Sequence, residues 1–210
     1  MEIEALPLTF REYCAVKGFK IDLKGNVKNI EAQLSLYREE LLQLFKEYTL
    51  QGGFPLSVNG DPRASEYFLA GLEGEVLGAG KSWELTQGIV SSILRKAPSP
   101  ISYSTIAADV GVSYKTVQEY IEMLQRLYIV GVALYRDGRR IMWRKEKKIF
   151  IQDPFIAWTL SEWTGEKFLE SALYEWIVQA HLKRKTGEVY YYRGRYEVDC
   201  IAADMKIEVK

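Results

Sequence analysis

The stretch 102–130, SYSTIAADVGVSYKTVQEYIEMLQRLYIV, decides how this chain reads. Ser102 or Ser104 offers a hydroxyl to cap a short helix through Asp109, and Gly111 is the residue that ends such a helix in a left-handed turn. Ser113 then caps a longer helix, Tyr114 to Tyr128. Its apolar positions Val117, Tyr120, Ile121, Leu124, Leu127 and Tyr128 recur at i, i+3, i+4, i+7, the signature of one buried face. Two short helices joined by a tight glycine turn make a helix-turn-helix.

Working outward, Trp83 to Lys96 reads as a preceding helix, stopped at Ala97-Pro98-Ser99-Pro100 because proline lacks a donor and restricts its predecessor. After the helix-turn-helix come two strand-like runs, IVGVALYR and RRIMWRK, separated by Asp137-Gly138, a strong hairpin signal. Three helices and a hairpin predict a winged helix over residues 83–152. Residues 1–82 read as a mainly helical region, with one helix over Ile30–Tyr48 that stops near Gln51-Gly52-Gly53. Residues 153–210 read as a helix from about Gly165 to Lys185, followed by strands Glu188–Arg193, Tyr196–Ala203 and Lys206–Lys210. The fold class is therefore multidomain, mainly α and then α+β.

Composition narrows the function classes. The 210 residues carry 28 basic and 28 acidic side chains, which argues against a globally basic nucleic-acid coat and leaves room for local patches. No apolar run is long enough to span a bilayer, and the acidic start MEIEALPLTF lacks a basic n-region, so a cytoplasmic protein without a membrane segment is expected. With only Cys14, Cys200 and His181, a disulfide framework or a Cys/His zinc site lacks ligands. The glycine-rich GEVLGAGKS (74–82) has five residues between Gly74 and Gly80 where a P-loop needs four, and no strand launches it. No ATPase activity is expected from this chain.

Two places carry chemistry. The first is the winged helix, where Tyr114, Lys115 and Gln118 occupy the N-terminal, outward positions from which a recognition helix meets base edges. Arg136, Arg139, Arg140, Arg144, Lys145, Lys147 and Lys148 crowd the hairpin against Asp137 and Glu146, a local net of +5, with Tyr135 and Trp143 between them. Such clustering is the footprint of backbone binding to double-stranded DNA; the alternative is a solvated wing that packs domains together.

The second is a set of C-terminal carboxylates. A hairpin turning at Ala203-Asp204 puts Asp199 opposite Glu208 and Glu197 opposite Lys210. Facing carboxylates repel, and either Lys210 or a hard cation such as Mg²⁺ between Asp199 and Glu208 would offset that. Glu170 lies in line with Leu173, Tyr174 and Ile177 on its helix, a third acid or simply a helix N-terminal one.

These spacings resemble the PD-(D/E)xK nuclease superfamily, with Glu170, Asp199 and Glu208-Val209-Lys210 in the catalytic positions and Asp199 and Glu208 as metal ligands. LPLTFREY (6–13), GGFP (52–55), YKTVQEYIEMLQRLYIV (114–130), KKIFIQDP (147–154) and YEVDCIA…IEVK (196–210) further resemble the C-terminal portion of prokaryotic AAA+-type ATPases, common in archaea. The resemblance implies a helical lid, a winged helix and a partial restriction-endonuclease-like module. ATP would then belong only to a longer parent protein, since no Walker segments precede LPLTFREY, and the last strand reads as truncated at Lys210. The implied function is a DNA-associated part of such an ATPase with a nuclease-like metal site, active or not. The alternative is a winged-helix transcription regulator or an interaction module without catalysis.

Overall fold

The computed structural model describes residues 6–20 and 26–210. The reading of the extreme N-terminus as lacking a leader falls partly on residues 1–5, outside the described set. No helix among the described residues is long and apolar enough to cross a membrane.

The segment 82–126 folds as its caps dictate. α6 (Trp83–Lys96), α7 (Tyr103–Val110) and α8 (Tyr114–Arg126) begin after Ser82, Ser102 and Ser113, whose hydroxyls accept from the N–H groups of Leu85, Thr105 and Thr116. Each cap satisfies an N–H that the helix leaves orphaned. Gly111 at φ 73° ends α7. α8 buries Val117, Tyr120, Ile121 and Leu124; it stops at Arg126, and Tyr128 leaves the expected apolar face at φ 56° with its ring exposed.

β1 (Val130–Asp137) is the hub of a six-stranded mixed sheet. β2 (Arg140–Ile141) and β3 (Lys148–Ile151) both pair antiparallel with β1, through Arg136↔Ile141 and Val130↔Ile151. The expected second strand over RRIMWRK is only two residues long. Met142 N–H donates to Tyr135 O and Lys145 N–H to Met142 O, a turn that takes residues 142–147 out of the ladder. Just before β3, Lys147 bridges antiparallel to Ile101, ahead of α7.

The C-terminal meander is β4 (Tyr190–Arg193), β5 (Glu197–Ala202) and β6 (Met205–Ile207). The register Cys200↔Ile207 and Ala202↔Met205 places the turn at Ala203-Asp204, with Ala203 at φ 49°. β4 joins β1 in parallel through Leu134↔Tyr190, so one sheet connects the hairpin to the C-terminal strands.

Two helices stand where one was expected before that meander. α9 (Pro154–Thr164) starts on Asp153 with Pro154 in its first turn and ends on Gly165 at φ 72°; α10 (Glu170–Thr186) follows. α9 docks on α6 through Trp83 stacked on Trp163 at 4.2 Å and Gln87 Nε2 donating to Trp163 O at 2.7 Å.

In the N-terminal region, α1 (Phe10–Val16) opens with a capping box between Thr9 and Glu12. The expected helix over Ile30–Tyr48 is broken at Tyr37 into α2 (Val27–Leu36) and α3 (Arg38–Gln51). Tyr37, at φ −113° and ψ 19°, turns its ring edge-on to Phe19 at 5.6 Å. α4 (Pro55–Val58) and α5 (Ala64–Gly78) complete the set; Gly74 and Gly78 lie inside α5, so the glycine-rich stretch is mostly helix.

Gly52-Gly53 has a steric reason. Gly53 exchanges hydrogen bonds with the N-terminal segment and the start of α9: its carbonyl accepts from Leu8 N–H at 2.8 Å and its N–H donates to Asp153 Oδ2 at 2.7 Å. A Cβ there would lie 2.0 Å from the Leu8 carbonyl oxygen. Gly53→Ala is therefore expected to lower stability by about 1–3 kcal/mol, the usual cost of overpacking. Urea unfolding with an unchanged midpoint would contradict this close approach.

Candidate functional site

On the hairpin side, Tyr114 and Lys115 are exposed at the start of α8, and Gln118 is half-buried with its amide donating to Glu122 at 2.8 Å. Glu119 is held by Lys81 at 2.7 Å, which assigns the lysine of the glycine-rich stretch to an ion pair and draws the Glu119 carboxyl below its usual range. The hairpin cations divide into two groups. Arg139, Arg140, Arg144 and Lys145 are exposed around the tip, and Trp143 beside them is 68% exposed. Arg136 points the other way: its guanidinium donates to Ala203 O at 3.2 Å and lies over the Tyr190 ring at 4.8 Å. Lys147 is half-buried, its Nζ donating to the carbonyls of Trp143 and Lys145 at 3.0 and 3.1 Å and lying over the Tyr103 ring; burial lowers its pKa.

Lys148 does not belong to the tip at all. It is 3% exposed, at the head of β3, and its ammonium is the centre of a carboxylate cluster: Asp199 Oδ1 at 2.9 Å, Glu175 Oε1 at 3.0 Å and Glu197 Oε1 at 3.2 Å. Burial pushes the Glu175 carboxyl up to about 7, with Lys148 pulling it back down. Burial also opposes the charge on Lys148, but its carboxylate neighbours, Glu175 first, outweigh it and raise its pKa. Glu175 further accepts from Gln179 Nε2 at 2.7 Å. Buried charge survives when it is paired and hydrogen-bonded in this way.

The C-terminal candidates are placed around this cluster rather than on one point. Asp199 has both oxygens engaged, one by Lys148 and the other by Val209 N–H at 3.0 Å. Glu208 pairs with Lys210 at 3.5 Å, and both side chains face solvent. Glu170 is exposed in the first turn of α10, where it accepts from the Tyr174 hydroxyl. Among the described residues no group of three or more His, Cys, Asp and Glu is placed to hold a metal ion. The buried helix acid that shares Lys148 with Asp199 is Glu175 rather than Glu170. The signals for the missed residues were present: Glu175 and Gln179 are polar at i and i+4 among Ala172, Trp176 and Ala180, and Lys148 opens an otherwise apolar strand.

A second buried acid, Asp153, is structural. It accepts from Gly53 and Phe155 N–H, and burial pushes it up to about 7 against those bonds. His181 is similarly committed: Nε2 accepts from Phe10 N–H at 2.8 Å, and its other ring nitrogen meets Ile177 O.

The fold and site define an α+β protein in which one mixed sheet joins the basic hairpin to the lysine–carboxylate cluster. Residues 42–167 match the family described as "Domain of unknown function (DUF8612)", and the chain belongs to it. The matched span includes Lys148 and the hairpin and ends before α10, β5 and the three carboxylates that Lys148 holds. No curated protein and no solved structure matches the chain.

Proposed function

We propose that this protein is a winged-helix module that binds double-stranded DNA, with α8 presented to the major groove and the basic tip between β1 and β2 to the neighbouring phosphates. The observation that carries this reading is the division of the hairpin cations. Arg139, Arg140 and Arg144 are exposed at the tip without a carboxylate partner among the described residues, and Lys145 is exposed beside them over the Tyr135 ring, while Arg136 is tied to Ala203 O and Lys148 is buried among carboxylates. Exposed cations at the end of a hairpin, next to the N-terminal turn of a helix carrying Tyr114, Lys115 and Gln118, suit phosphate positioning beside base contact. The bridge between Ile101 and Lys147 supports the winged-helix reading, since it ties the hairpin base back to the segment ahead of α7.

The C-terminal strands serve in this reading as a brace for the hairpin through the β1–β4 pairing, and binding rather than cleavage is the activity. The resemblance to the C-terminal portions of AAA+-type ATPases favours the same role, a DNA-docking arm. Anisotropy of a labelled duplex of arbitrary sequence tests it. With about four phosphate contacts, affinity should fall about a hundredfold between about 50 and 200 mM salt. No binding at low salt would refute it.

A further inference from the structure

A groove of about 340 Å³ separates α8 from the 142–147 turn. Its walls include Tyr103, Tyr114, Gln118, Glu122, Trp143 and Lys147 over a floor of Val132 and Leu134. We infer that this groove receives a single unpaired nucleobase, so that the protein selects a duplex carrying an unpaired or extruded nucleotide over a continuous one. The inference rests on the duplex-docking reading above and names the form of DNA that the same surface takes.

The placement argues for it. When α8 faces the major groove and the hairpin tip the adjacent phosphates, the strand between them crosses this groove, and a base swung out of that strand is directed into it. The chemistry of the walls suits a base better than a phosphate. Trp143 is 68% and Tyr114 47% exposed, and aromatic faces of this kind stack bases irrespective of sequence. Glu122, already aligned by the Gln118 amide at 2.8 Å, repels a phosphate and accepts from an exocyclic amino group. Its position is otherwise a liability on a DNA-facing helix. Arg144 and Lys145 follow Trp143 in sequence, and their exposed charges are those that hold the backbone of an extruded nucleotide. Pulling a paired base from the stack carries an unstacking cost that an unpaired base largely avoids, and that difference is the source of the selectivity.

The test compares two duplexes of identical sequence, one fully paired and one with a single central bulged adenosine, by anisotropy at fixed salt. The bulged duplex should bind about five- to a hundredfold tighter, the range for stacking one base. With 2-aminopurine at the bulge, binding should quench its fluorescence. Trp143→Ala should bring the ratio of the two affinities to about one, and Trp143→Phe should keep part of it; circular dichroism checks that each variant is folded. Equal affinities for the two duplexes in the native chain, with duplex binding intact, would overturn the inference alone. Binding of neither would overturn the duplex reading together with it.

Discussion

Lys148→Met should destabilise the fold by about 3–5 kcal/mol at pH 8, the cost of leaving the buried Glu175 carboxylate, with Asp199 beside it, without its cation. The substitution keeps most of the aliphatic stem and removes the charge that Glu175, Asp199 and Glu197 share within 3.2 Å. The effect carries a pH signature. Glu175 has its carboxyl raised from 4.5 to about 7 in the fold, so between those values the folded state holds a proton that the unfolded chain has released. Stability contributed by this group therefore falls as pH rises through that window. Without Lys148 the window extends upward, because the opposing cation is gone and burial remains. The deficit of Lys148→Met should thus be larger at pH 8 than at pH 5, where Glu175 is protonated and neutral. Adding Glu175→Gln to Lys148→Met should recover a substantial part of the loss at pH 8. Urea midpoints for the three chains at the two pH values decide the matter, and an unchanged midpoint for Lys148→Met would mean that the cluster is not what holds β3, β5 and α10 together.

Local signals in the sequence were enough for the middle of the fold. Ser82, Ser102 and Ser113 each begin the helix that their position predicts, Gly111 ends α7, and the hairpin turns at Gly138-Arg139, one residue beyond the expected Asp137-Gly138, because Asp137 still pairs with Arg140. The β5–β6 register was also legible, since alternation in YEVDCIAA leaves few ways to pair it with the last strand. What failed depended on partners distant in sequence. Tyr37 breaks a helically patterned run because its ring meets Phe19. α9 is apolar over most of its length, as a helix packed against α6 must be, so it lacks the polar face that marks an amphipathic helix.

The candidate site shows the same division. Lys148 sits in a run of basic residues and counts as a wing cation by sequence, yet it opens a strand buried on both faces and meets acids 27 to 51 positions away. Composition cannot tell an exposed lysine from one that neutralises a buried cluster. Nor can it show that the parallel pairing of β1 with β4 brings Ala203 within reach of Arg136. The acids at 199 and 208 were read as facing each other; β6 ends at Ile207, one residue short of that pair, and the two side chains go to different cations.

The DNA-binding account stands on the remaining exposed cations, and the replacement Arg139→Ala, Arg140→Ala, Arg144→Ala is its strongest test. All three side chains are exposed and none has a carboxylate partner among the described residues, so the triple variant should fold with the native chain's stability. Each phosphate contact contributes about −0.9 to the slope of log affinity against log salt. Removing three contacts should make that slope shallower by about 2.7 and weaken binding most at low salt, where counterion release is worth most. The decisive measurement is that slope for the native chain and the triple variant on one duplex. A native slope near −3.6 that falls toward −1 in the variant is what the account predicts, and parallel lines for the two proteins would contradict it.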